Sequence, residues 1–209
     1  MTVYLHKNDL PKNILESFLK KEIAIDTETL GLNNLRDRLC LIQLSEGNDD
    51  AHLVQFDKNN YSSPNLKKLL KNKDTVKIMH FARFDIGILE KTFKTKVKNV
   101  YCTKIASKIA RTYSSAHGLK TLIKEFLNID ISKKEQSSYW GNEKITKEQL
   151  NYAAADVLYL HEIKNNLEKI LKRENREKLA KNCMKFLNTR VRLDLEGWLD
   201  VDIFSHSSQ

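Results

Sequence analysis

The chain is poor in residues that break or staple a fold. Its 209 residues include 6 glycines and 2 prolines, too few for long linkers, so one compact domain is expected over residues 1–209. The 3 cysteines, Cys40, Cys102 and Cys183, are odd in number and widely spaced. No C-x-x-C pair argues for zinc or redox chemistry, and Cys40 and Cys102 sit inside apolar runs, as reduced core thiols do. No apolar run approaches the roughly 18 residues of a membrane span. The start, Met1 to His6, lacks the basic residues and apolar run of a secretory signal. A cytoplasmic protein with no membrane partner is expected. Positive charge is what the chain has in excess, 36 Lys and Arg against 27 Asp and Glu, a net of +9. Polyanions are the natural partner class for that balance, although a lysine-rich solvated surface accounts for it equally well.

The length suits one substantial α/β core, and its most informative stretch is Ile23-Ala24-Ile25-Asp26-Thr27-Glu28-Thr29-Leu30-Gly31-Leu32. Alternating β-branched residues predict a buried strand ending in a glycine-marked turn. Side chains alternate across a strand, so Asp26 and Glu28 leave one face and their carboxylates can converge. Two like charges there repel and lose solvation unless a cation lies between them or one is protonated. The plain alternative is an exposed strand end with solvated acids.

In chain order, Val3 to His6 reads as an edge strand, and Asp9 precedes a short helix through Leu15, Phe18 and Leu19. After the polar turn Asn33 to Arg38, strands are expected at Leu39 to Leu44 and His52 to Phe56, forming an antiparallel meander with the Asp26 strand. Ser63-Pro64 opens a helix to about Leu70, with Ser63 as cap and Pro64 at its first position. A strand at Thr75 to Met79 gives way to helical spacing from His80 to Leu89. Phe81, Asp85 and Ile88 then share one face, placing a carboxylate in an apolar stripe that requires a partner. A strand at Asn99 to Thr103 leads into a helix from Lys104 to Arg111, with Lys104, Lys108 and Arg111 as a basic stripe. A helix at Leu119 to Phe126 follows, and then a polar and aromatic loop from Asp130 to Glu143.

Thr146-Lys147-Glu148-Gln149 is a capping box, with Ile145 and Leu150 placed as a hydrophobic staple, opening a long helix to about Leu171. Tyr152 and Asp156, four apart, project together, and Ala153 to Ala155 keep the surface between them small. A charged helix from Glu174 to Phe186 precedes an apolar tail over 187–209, expected to pack on its own domain or at a subunit interface. Asp26, Glu28, Asp85 and Asp156 together can hold two divalent cations about 3.5–4 Å apart, the clamp used for in-line displacement at phosphodiesters. Ligands made only of oxygen favour Mg²⁺ or Mn²⁺.

Asp26-Thr27-Glu28, the stretch His80 to Asp85, and Tyr152 to Asp156 resemble the three motifs of the DEDDy 3′-5′ exonucleases, the RNase D and oligoribonuclease relatives. Within that family the chain is similar to the nano-RNase C group of alphaproteobacteria, through Asp37-Arg38-Leu39-Cys40, Tyr101 to Lys108, Gln136-Ser137-Ser138 and Leu193-Asp194-Leu195. The resemblance implies an RNase H-like α/β fold, a mixed central sheet flanked by helices. It also implies hydrolysis of short oligoribonucleotides, dinucleotides included, from the 3′ end to 5′-monophosphates, by a ring-shaped homo-octamer. Asp26, Glu28 and Asp156 would bind one metal, with Asp26 bridging to a second that Asp85 supports through water and Tyr152 orienting the attacking water. Leu32 would wedge between bases, unless it simply packs after the turn, and His80 would lie by the scissile phosphate, unless it is a core histidine. Lys104, Ser107, Lys108, Arg111, Gln136, Ser137 and Ser138 are candidate phosphate contacts. Met79 stands where many members carry Asn, so that contact does not transfer. The same acids would serve trimming of structured RNA or a DNA exonuclease, whereas a non-catalytic RNA-binding module would have lost one or more of them.

Overall fold

A computed structural model describes residues 1–58, 60–131 and 134–206. Two pieces of the expected segments, 132–133 of the polar loop and 207–209 of the tail, lie outside them. Six strands form one mixed sheet in the order β1-β4-β3-β2-β5-β6: β1 Thr2–Lys7, β2 Glu22–Thr29, β3 Leu39–Ser45, β4 Asp50–Gln55, β5 Val76–Met79 and β6 Val100–Cys102. The meander is present, with β2 antiparallel to β3 and β3 to β4. β5 pairs parallel on the other flank of β2, so the strand carrying Asp26 lies inside the sheet.

The two faces of β2 separate cleanly. Ile23 and Ile25 join the larger core, with α2 (Pro64–Lys71) and α3 (Ala82–Phe93) supplying Leu66, Leu69, Leu70, Ile86 and Leu89. Ala24 faces the opposite layer, built from Leu41, Leu53, Ala153, Ala154 and Val157 under α6 (Lys147–Leu158). Alanines on the buried face of α6 let its backbone come close to the sheet, which brings its functional side chains to the end of β2. The capping box forms as expected: the Gln149 N–H donates to Thr146 Oγ1 at 3.2 Å and the Thr146 N–H to Gln149 Oε1 at 3.0 Å.

Several boundaries differ from expectation, each for a packing reason. The long helix divides at Tyr159 (φ −97°, ψ −4°) into α6 and α7 (Leu160–Arg173), because α6 packs on β2, β3 and β4 while α7 packs on α4 (Thr103–Ala110). The charged helix runs on past Phe186 as α8 (Glu177–Leu195), since Leu187 and Val191 are buried in the larger core. Phe81 is not part of the α3 stripe. It is left-handed (φ 64°) and 45% exposed, and the helix begins at Ala82.

Ser63 does not cap α2, for its hydroxyl donates to the Asn8 carbonyl. Asp9 does so instead, its carboxylate accepting the Asn65 and Leu66 N–H groups at 2.9 Å each, while α1 (Lys12–Phe18) starts without a side-chain cap. Asp9→Ala is therefore expected to cost about 1–2 kcal/mol in a urea melt. A loss no larger than that of a surface substitution would show the cap to be idle.

Candidate metal centre

Asp26 and Glu28 leave β2 on the Ala24 face, toward α6, and Asp156 meets them from that helix. Carboxylate oxygens of Asp26, Glu28 and Asp156 lie within 4.8 Å of one another, and all three residues are half-buried. Thr27 points to the other face and donates its hydroxyl to Asp85 Oδ1 at 2.6 Å. Asp85 is fully buried and stands behind the strand, so three acids converge directly while the fourth is tethered by the residue between the first two.

The electrostatics are those of four acids sharing one buried place. Burial first, then the charges of Asp85, Asp156 and Glu28, hold the Asp26 carboxyl far above the usual range. Burial and the Asp156 and Asp85 charges push Glu28 up to about 9. Burial raises Asp85 and Asp156 to about 7, opposed by hydrogen bonds from Thr27 and Tyr152 respectively. Among the described residues no lysine or arginine makes a salt bridge to any of the four. An all-oxygen donor set at this spacing, with no protein cation to neutralise it, fits a hard divalent ion. Tyr152 lies against Asp156, and burial with the surrounding acids keeps its phenol protonated. Its ring packs at 6.2 Å from that of Trp140, the buried anchor of the 134–143 loop.

The turn after Glu28 is pinned on both sides. The Asp37 carboxylate accepts the Asn33 N–H, and a Cβ on Gly31 would collide with that carboxylate. Asn34 Nδ2 donates to the Phe84 carbonyl at 3.0 Å, joining the turn to α3. Leu32, at its tip, is 89% exposed. The aromatic loop closes over the same side: a Cβ on Gly141 would meet Leu30 and Tyr139, and Ser138 Oγ accepts from Gln149 Nε2 at 2.9 Å. Gln136 and Ser137 are exposed in that loop.

Other candidates divide into outward and inward groups. Lys104 lies 4.5 Å over the Phe81 ring, and with Lys108 it lines a cavity between α3, α4 and α8 that includes none of the acids. Arg111 is not on the expected basic stripe. It is buried, paired to Glu125, and donates to Ser107 Oγ at 3.1 Å and the Ala116 carbonyl at 2.7 Å. Ser107 is buried too, its hydroxyl 2.9 Å from His117 Nδ1. Both are occupied by protein partners because Arg111 turns into the α4–α5 junction, α5 being Leu119–Leu127. His80 Nδ1 sits 2.9 Å from Thr103 Oγ1, and burial drives its pKa down to about 3, so the ring is neutral. Two residues escaped the sequence reading. His117 carried no spacing signal, but Gln43, a lone amide within the apolar run of β3, did carry one.

The 3′-5′ exonuclease family matches residues 2–172. The chain belongs to that family. Residues 2–172 thus form a 3′-5′ exonuclease domain by family. Among 3′-5′ exonucleases it is 30% identical over 152 residues to Ribonuclease D of Haemophilus influenzae, matching 73% of this chain and 37% of that one. With Ribonuclease D of Desulfotalea psychrophila it is 28% identical over 152 residues, 73% of this chain and 40% of the relative. The chain thus spans two fifths or less of these two curated relatives. The structure of Brucella melitensis NrnC with bound Mg²⁺ superposes with a TM-score of 0.94 at 50% identity, covering 99% of this chain and 100% of that one. A second NrnC structure, bound to pGG, agrees equally well, at TM-score 0.94 and 50% identity over the same shares. The expected RNase H-like exonuclease fold, a mixed sheet flanked by helices, is the fold observed.

Proposed function

We propose that the chain removes nucleotides from the 3′ end of short single-stranded oligoribonucleotides, dinucleotides included, releasing nucleoside 5′-monophosphates with Mg²⁺ or Mn²⁺ at two sites. The observation that carries this reading is the convergence of Asp26, Glu28 and Asp156 within 4.8 Å beside a protonated Tyr152. Support for a short substrate comes from the half-identical NrnC bound to pGG.

In this reading Asp26, Glu28 and Asp156 hold one cation. Asp26 and Asp85 would hold the second, Asp85 by way of water, with the Thr27 hydroxyl fixing the Asp85 carboxylate. Bound there, the cations would lower the pKa of the attacking water and neutralise charge on the leaving oxygen. Tyr152 orients that water through its hydroxyl. Leu32, apolar yet 89% exposed on a pinned turn, serves as the wedge between bases. Lys104, Lys108, Gln136, Ser137 and Ser138 would meet substrate phosphates, Ser107 and Arg111 being occupied by protein partners, and His80 stays a neutral neighbour of the scissile group.

A partner copy would dock on the C-terminal segment. Arg190 donates to the Trp198, Leu199 and Val201 carbonyls and Arg83 to that of Leu199, both arginines sharing Asp194. The backbone is fixed while Trp198, Leu199, Val201, Ile203 and Phe204 remain exposed. A rigid apolar patch of this kind suits a subunit interface, here of a homo-octameric ring. The reading places the chain in the cytoplasm with its RNA substrate.

A time course on 5′-labelled RNAs of two to about twenty nucleotides, beside matched DNA and a hairpin with a 3′ overhang, tests the reading. That span separates a few-nucleotide site from grooves that track 4–16 nucleotides. The fastest turnover is expected on two to about four ribonucleotides. Equal rates at all lengths, or faster hairpin or DNA cleavage, would transfer the same chemistry to another substrate.

A further inference from the structure

Gln43 lies in the middle of β3, 0% exposed, and among the described residues neither its amide nitrogen nor its amide oxygen has a hydrogen-bond partner. Its neighbours along the strand are Ile42 and Leu44, and its partner on β4 is Leu53. Leaving an amide unpaired in such a place costs about 1–3 kcal/mol. For the core alone a leucine would be the better residue. The position therefore calls for a reason outside packing.

The sheet register supplies one. Gln43 stands directly opposite Asp26 in the antiparallel β2–β3 pair. Residues opposed in this way send their side chains to one face, with Cβ atoms about 4.5–5.5 Å apart. That face is the one roofed by Ala153 and Ala154 of α6, where the acids gather. Carboxylates that hold a metal are ordinarily held by hydrogen bonds of their own. Asp85 has the Thr27 hydroxyl and Asp156 has Tyr152. Among the described residues, by contrast, the Asp26 carboxylate has only the Thr27 backbone N–H and that of Glu28 has no hydrogen bond. Of these two acids without a side-chain partner, Asp26 is the one that lies across from the amide without one.

We propose that Gln43 is the positioning residue of Asp26. Its amide N–H donates to the Asp26 carboxylate oxygen turned away from the cation when the carboxylate rotates to bind, which fixes that rotation. The assignment rests on the metal-binding reading of the acid cluster and extends it to a residue outside the exonuclease motifs.

Gln43→Leu and Gln43→Met, both close in volume and free of polar hydrogen-bonding groups, separate this role from packing. The measurements are the melting temperature of the metal-stripped chain and the Kd for Mn²⁺ by calorimetry. Both variants are expected to melt at or above the wild-type temperature, because an unpaired amide is gone, and to bind Mn²⁺ at least about tenfold more weakly. An unchanged Kd in both variants overturns the proposal. So does a weaker Kd found only together with lower melting temperatures in both, which a packing defect explains. Asp26→Asn is the control for the underlying reading. If it binds Mn²⁺ as the wild type does, or if the wild type binds none, the acid cluster is not a metal site and the inference falls with it.

Discussion

Asp26→Asn and Asp156→Asn are expected to slow hydrolysis of a short RNA by about 10³-fold or more, because losing a metal-binding carboxylate forfeits several kcal/mol of transition-state stabilisation. The same substitutions are expected to raise the melting temperature of the metal-free chain. Three carboxylates converge within 4.8 Å, a fourth stands behind the strand, and among the described residues no salt bridge offsets them, so each charge removed relieves repulsion. Activity and stability should therefore move in opposite directions. A purely structural role predicts that both fall together, so single-turnover rates and thermal melts on the same preparations decide between them. A variant that keeps wild-type activity would end the metal reading.

The second large effect couples pH to metal. Asp85 and Asp156 titrate near 7 and Glu28 near 9 in the fold, whereas unfolded carboxyls titrate near 4. Between those values the native chain binds more protons than the unfolded one, so its stability falls as pH rises. The protonated cluster contributes fully below about pH 4, and that contribution is lost as pH rises through about 7 and then about 9. A divalent cation held by these acids would substitute for the lost protons. Its stabilisation, about 2.7 kcal/mol at a hundred times its Kd, should thus be largest at alkaline pH and small in acid. Melting curves at three pH values, with Mg²⁺ and with chelator, measure this. A metal effect greatest at the acidic end would contradict the electrostatics of the site.

Local patterns were legible along the chain because local geometry produces them. The alternation that puts Asp26 and Glu28 on one face is a property of any strand, and the four-residue spacing of Tyr152 and Asp156 is a property of any helix. The capping box needed only four consecutive residues, and all of its hydrogen bonds formed. Reading failed where a distant partner decides. Asp9 precedes α1 in sequence, yet it caps α2, more than fifty residues away. Arg111 fell on a basic stripe by spacing, but Glu125 and the Ala116 carbonyl draw it inside. One continuous helix was expected through Tyr159, and its halves part because they rest on different neighbours.

The sequence by itself determined the candidates for the chemistry: four acids and a tyrosine whose order and spacing resemble the exonuclease motifs. Tertiary structure decided how they divide. Strand β2 turns Asp26 and Glu28 toward α6 and Thr27 away from it, so Asp156 joins the first two while Asp85 is held from behind. It also decided that Gln43 lies across from Asp26, a relation set by sheet register. Pairing between strands is fixed by contacts along their whole length, so no short window of the chain contains it.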